Sequence, residues 1–262
     1  MRSTRVPDPA GRPTAPEPAP SARESSRSLP PALLRRAFTL SGVVPLGVFL
    51  VVHLVVNLRA LSGDRAFDGA VGLYARVPGL ALLEALLVFA PLLFHAAVGL
   101  WLIAGRRSLS IPSPYPAPVR VAVRVTGVLT LAFLALHLPD LRLHAGGARL
   151  GGPALLTLLE AELSSMRSGL PWRGVVYLVG SASAVFHFVA GLWAVHAATP
   201  RGQGERARRR AAWWAGAVGV TMWLLFADVV VYHATGARLF GGAPQEDAAS
   251  VPCPGPSATA PP

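Results

Sequence analysis

The chain has 262 residues, 52% of them hydrophobic and 14% charged, with a mean hydropathy of +0.48, which excludes an ordinary soluble domain and points to a membrane protein. Its formal net charge of +11 raises nucleic acid as a partner, but the 24 basic residues are all arginine, flank apolar runs and form no stripe with interleaved aromatics. Nucleic acid is therefore not an expected partner.

Residues 1–34 are rich in Pro, Ala, Ser and Arg without apolar periodicity and read as a disordered tail. They lack the apolar core of a signal peptide, so no cleavage is expected. A membrane domain follows over 35–238. Its first run, Ala37–Leu58, is 22 uncharged residues between Arg36 and Arg59, enough to cross about 30 Å of hydrocarbon at about 1.5 Å per residue. The others fall at about Pro78–Gly105, Val119–Leu141, Gly174–Pro200 and Ala211–Ala237. Arg120 and Arg124 must snorkel at the start of the third. A short helix is expected around Ala154–Met166, in the longest loop. Residues 239–262 form a second disordered tail holding the one cysteine, Cys253.

That lone cysteine rules out an internal disulfide and a cysteine-held iron–sulfur cluster. No Gly-x-Gly-x-x-Gly turn is present either. Electrons handled by this chain must come from, or go to, another subunit.

Sixteen arginines fall on the side of the N-terminal tail and the second and fourth loops, against eight on the other. The positive-inside rule then places the N-terminus in the cytoplasm and the C-terminus in the periplasm. The expected fold is an all-α integral membrane bundle of five spanning helices.

Histidine in hydrocarbon is costly and marks function by default. Two runs share one imprint, FHAAVGLW at Phe94–Trp101 and FHFVAGLW at Phe186–Trp193, and two others share FLVVHL at Phe49–Leu54 and FLALHL at Phe133–Leu138. Depth pairs the same residues. His53 lies six residues before Arg59 and His137 three before Asp140, both towards the outer face; His95 lies 11 before Arg106 and His187 14 from Arg201, both in the middle to inner half. A lone membrane histidine is often a structural hydrogen-bonder, but four in matched contexts point to two six-coordinate haems. Two imidazoles per iron leave no open position, so such haems carry electrons rather than bind oxygen. Gly99 and Gly191, one turn after the imprint histidines, are expected to leave room for a flat macrocycle, with Phe94 and Phe186 on its edges. Arg35, Arg36, Arg59, Arg106, Arg107 and Arg142 are candidate propionate partners. His144 and His196 have no role in this scheme.

Over Arg35–Arg238 these residues resemble the five-helix dihaem cytochrome b anchor of succinate:quinone oxidoreductases, the succinate dehydrogenase and quinol:fumarate reductase family. The resemblance is carried by SGVVPLGVFLVVHL at Ser41–Leu54, PLLFHAAVGL after Glu84, and FHFVAGLW around His187. It implies two haem b groups, the outer ligated by His53 and His137 and the inner by His95 and His187. It also implies a flavoprotein with covalent FAD, an iron–sulfur subunit, and a membrane quinone, taken as menaquinone. This chain itself would not transform succinate. Its place would be the bacterial inner membrane, in the respiratory chain and the tricarboxylic acid cycle.

Some fumarate reductases of the family carry a glutamate two residues before the fourth-helix histidine for proton movement. Here Val185 stands at that position, which favours a succinate dehydrogenase. Candidates for the quinone site are Asp68, in the loop ahead of the second run, Asp228 and His233, with Glu84 and Asp140 at the same level; quinone chemistry needs a donor and a proton carrier. The dihaem anchors of nitrate reductase, hydrogenase or formate dehydrogenase place their histidines differently. A haem-free transporter is disfavoured because no run of acids accompanies the histidines.

Overall fold

A computed structural model describes residues 31–104, 115–142, 152–202 and 204–241, with the backbone alone at 31, 32, 140–142, 152 and 153. Of the expected tails at 1–34 and 239–262, residues 1–30 and 242–262 with Cys253 lie outside the described residues, as do Arg106, Arg107, His144 and the side chains of Asp140 and Arg142, whereas 31–34 are already helical. Five described helices are long and apolar enough to cross a membrane: Leu33–Ser62, Leu80–Ala104, Ala117–Pro139, Trp172–Ala197 and Glu205–Thr235. They overlap the five expected runs.

The first span is made of α1 (Pro31–Val43) and α2 (Pro45–Leu58), closed by a 3₁₀ turn at Arg59–Ser62. Pro45 has no N–H to give to the carbonyl one turn back. The break stays local because Val44 keeps a helical conformation and hydrogen bonds bridge it, Val44 N to Leu40 O at 2.9 Å and Val48 N to Val44 O at 3.0 Å. Gly63, at φ 99°, then turns the chain into α3 (Asp64–Ala75). This helix stands where the sequence was read as a loop. Its apolar anchor is Phe67, buried against Ala60 and Leu156, and Asp64 sits in its first turn, where a negative charge meets the helix dipole favourably.

The second span joins α4 (Leu80–Glu84) to α5 (Ala90–Ala104) through a wide π turn at Ala85–Phe89. The third is α6 (Ala117–Arg142). The expected loop helix is α7 (Gly152–Leu163), and it leads into a hairpin of β1 (Met166–Arg167) and β2 (Leu170–Pro171), with Met166 opposite Pro171. Its turn holds Ser168 at φ 53° and Gly169 at φ 78°, the two successive positive angles that a tight hairpin turn requires. α8 (Trp172–Ala197) and α9 (Glu205–Thr235) are the fourth and fifth spans.

α8 is the central helix. It packs along both α9 and α6, and the first span packs on the second, fourth and fifth. Glycines permit the closest approaches: Gly47 lies against the Phe188 ring and Gly180 against Phe133. The most apolar 18-residue stretch of the fourth span is 39% buried and that of the fifth 33%, whereas in the second and third spans no such residue is buried. α3 and α7 cap one end of the molecule, where Leu159 and Leu163 join Tyr177 and Val230 in a buried cluster. The opposite end carries the arginines that open α9.

Candidate functional site

The four spanning histidines meet in two pairs. His53 on the first span faces His137 on the third near the capped end, with ring centroids 5.8 Å apart and planes at 82°. His95 on the second span faces His187 on the fourth towards the arginine-rich end, 5.9 Å apart and again at 82°. Imidazole nitrogens sit about 2 Å from the metals they bind, so two trans ligands on one metal place their ring centres roughly 6 Å apart. Both separations have that value.

Hydrogen bonds fix the ring orientation of the second pair. His95 Nδ1 lies 2.9 Å from the Phe38 carbonyl, and His187 Nδ1 lies 3.0 Å from that of Val123. A carbonyl only accepts, so each Nδ1 carries the proton and each Nε2 keeps its lone pair for a metal. In the first pair His137 Nδ1 is 3.3 Å from the Tyr177 hydroxyl. Phe38 stacks on His95 at 4.4 Å, Phe49 on His53 at 5.5 Å and Phe133 on His137 at 5.2 Å. Phe94 and Phe186, expected on the edges of a macrocycle, are 37% and 38% exposed.

Glycine seats two of the imidazoles, at positions sequence reasoning missed. A Cβ on Gly42 would come within 2.5 Å of His95 Cε1 and 2.8 Å of its Nδ1, and one on Gly127 within 2.9 Å of His187 Cε1. Around Gly99 and Gly191 the nearest protein neighbours of a Cβ would be Phe38, at 3.6 Å, and Val43, at 3.0 Å, both on α1. The signal was present in the chain. Ser41-Gly42 precedes His53 by 11 residues, and Thr126-Gly127 precedes His137 by 10.

The first and third spans thus repeat one programme. Each has a carbonyl bonded to the neighbouring imidazole (Phe38, Val123), a hydroxyl folded back on that same carbonyl (Ser41, Thr126), a glycine under the ring, then a phenylalanine four residues before its own histidine. Val123 is level with the His95–His187 pair, and His137 follows it by 14 residues. At about 1.5 Å per residue the two layers are on the order of 20 Å apart along the helix axis.

The pairs suit a metal that arrives with ligands of its own. Among the described residues no group of three or more His, Cys, Asp or Glu could hold a bare ion. Two opposed imidazoles complete an octahedral coordination sphere where four other donors come with the metal, and a porphyrin supplies four in a plane. All four rings are half-buried. Left to hydrocarbon alone, such polar edges are costly. The residues present therefore fit two bis-imidazole haems.

The other candidates separate by environment. Asp68 is exposed on α3. Glu84 is buried and accepts the Tyr74 hydroxyl at 3.0 Å. Asp228, 2% exposed, accepts the Leu239 amide at 2.6 Å and pairs with Arg238 at 3.5 Å, while Arg238 also reaches the Leu61 carbonyl at 3.4 Å. That carboxylate fastens the segment after α9 to the bundle. His233, 4% exposed near the capped end, has no hydrogen-bond partner on either ring nitrogen among the described residues.

A helical membrane protein with opposed imidazoles on four spans has the ligand arrangement of a b-type cytochrome. The chain is similar to the succinate dehydrogenase cytochrome b558 subunit of Bacillus subtilis (strain 168), 34% identical over 160 residues that cover 61% of this chain and 75% of that protein. It belongs to the family of succinate dehydrogenase cytochrome b subunits, the membrane anchors of that enzyme. No protein-family model and no solved structure matches the chain.

Proposed function

We propose that this chain is the dihaem anchor of a succinate dehydrogenase of the bacterial cytoplasmic membrane, and the carrying observation is the pair of facing imidazole pairs at two depths. His53 and His137 hold one haem b, His95 and His187 the other. A haem held between two of these imidazoles would supply one-electron transfer. The protein's part is to aim Nε2 through the Phe38 and Val123 carbonyls, to shield the rings with phenylalanine, and to set the two layers along the membrane normal.

With 16 arginines on one side, the N-terminus lies in the cytoplasm and the C-terminus in the periplasm. The His95–His187 layer then faces a cytoplasmic iron–sulfur subunit, itself served by a flavoprotein with covalent FAD. Val185, 2% exposed in the cluster of Leu54, Met222 and Phe226, can carry no proton, which favours succinate oxidation over fumarate reduction. Membrane quinone, taken as menaquinone, reacts at the capped end. His233 has hydrogen-bonding capacity to spare there on both ring nitrogens, as Arg238 has on Nε; Asp68 is exposed on α3, and Asp228 positions Arg238.

A pyridine haemochromogen assay of the purified complex should give two haem b per anchor chain. His95→Ala or His187→Ala should remove one of them and spare the other in the reduced-minus-oxidised spectrum; colourless protein, or one haem in the parent, refutes the assignment. His233→Phe should lower quinone-linked turnover with both haems retained. Asp228→Ala should instead lower stability by about 2–3 kcal/mol, because it strands the partly buried Arg238 charge.

A further inference from the structure

A separate hollow opens between α6, α8 and α9. It measures about 600 Å³ and runs from Tyr115 and Ala212, near the arginine-rich end, to Ala182 and Trp223. Tyr115, stacked on Trp193 at 5.4 Å, and Trp223 wall it, and its floor on α9 is small, with Gly216 and Gly219. Every donor on those aromatic walls is already committed. The Tyr115 hydroxyl donates to the Ala190 carbonyl at 2.8 Å, Trp193 Nε1 to that of Arg208 at 3.2 Å, and Trp223 Nε1 to that of Leu178 at 3.2 Å. No other side chain lining the hollow carries a polar atom. A quinone ring or any other group with carbonyls to satisfy would gain no hydrogen bond here, whereas a hydrocarbon chain gives none up.

A second hollow lies beside the first on α9. It shares Ala212, Gly216 and Val220 with the first, and Arg209 and Trp213 bound it at the arginine-rich end. Trp213 and Trp214 are 79% and 69% exposed, as aromatic side chains at a membrane–water boundary are. Arg206, Arg209 and Arg210 are exposed beside them.

We propose that one anionic phospholipid sits on α9, an acyl chain in each hollow and its phosphate at Arg209. The shared floor at Gly216 explains two chains from one headgroup: no atom lies within 4 Å of a Cβ built there, so both seats are open to lipid. Charge selects the headgroup, since each arginine near the surface strengthens attraction for an anionic lipid about fivefold. The tail of an isoprenoid quinone, or a second copy of this chain, would leave the arginines at the mouth without a counter-charge.

The intact complex is equilibrated with mixed vesicles of phosphatidylglycerol and phosphatidylcholine, stripped in mild detergent and weighed by native mass spectrometry, with the visible spectrum reporting the haem layers independently. The expected result is one phosphatidylglycerol retained per anchor chain. Arg209→Gln, a surface change, should lower its preference over phosphatidylcholine about fivefold, and Gly216→Leu should abolish retention with the spectrum unchanged. Equal retention of both lipids, insensitivity to Arg209→Gln, or a bound quinone in place of phospholipid overturns the proposal.

Discussion

The glycines under His95 and His187 set the tolerance of the site at the scale of a single atom. Gly42→Ala puts a methyl within 2.5 Å of the His95 ring, so the ring must turn and give up the Phe38 carbonyl. Gly127→Ala presses on His187 at 2.9 Å with the same consequence at Val123. Overpacking of this kind costs about 1–3 kcal/mol. Either variant should shift the midpoint potential, or lower the occupancy, of the haem at the His95–His187 layer alone. Gly99→Ala, with Phe38 at 3.6 Å, should leave both layers as they are. A redox titration resolving the two haems checks this, and equal behaviour of all three variants contradicts it. The four histidines themselves were legible in the sequence because intramembrane imidazole is rare and their contexts repeat. Their seats were not, because Gly42 meets His95 across a gap of 53 positions and nothing local marks the pairing. Asp228 was legible as a costly buried acid, but its partners, Arg238 and the Leu239 amide, are made by how the chain turns after α9.

At the scale of elements, the π turn at Ala85–Phe89 accommodates one residue more than an α-helix would place there. Deleting Leu87 lets this stretch close to ordinary α-helix while His95 still faces His187. Deleting Leu93, beyond the turn, rotates His95 about 100° relative to the residues that precede it. Absorption spectra should therefore show both haems in the first variant and one in the second; loss of a haem in both would mean the turn has no such slack. The five spans could be read from hydropathy alone. α3 is too short and too polar to cross a membrane, so hydropathy passes over it, and its one deep anchor, Phe67, finds Leu156 on α7 far along the chain. The hairpin after α7 is equally local in its turn, Ser168-Gly169, yet too short to show alternation.

Taken whole, the molecule is packed most densely along α8 and α9, while the most apolar stretches of the second and third spans bury no residue and that of the first buries few. The separation of the imidazole layers has a further consequence. A span of about 20 Å is roughly two thirds of a hydrocarbon core of about 30 Å. A unit of negative charge handed from one layer to the other therefore works against most of the transmembrane voltage, on the order of 1.5 kcal/mol for every 100 mV. In sealed proteoliposomes clamped with potassium and valinomycin, succinate-to-quinone turnover should quicken at one polarity and slow at the other, and the favoured sign reports which way the anchor sits. A rate indifferent to polarity would mean that the charge is matched by a proton moving beside it.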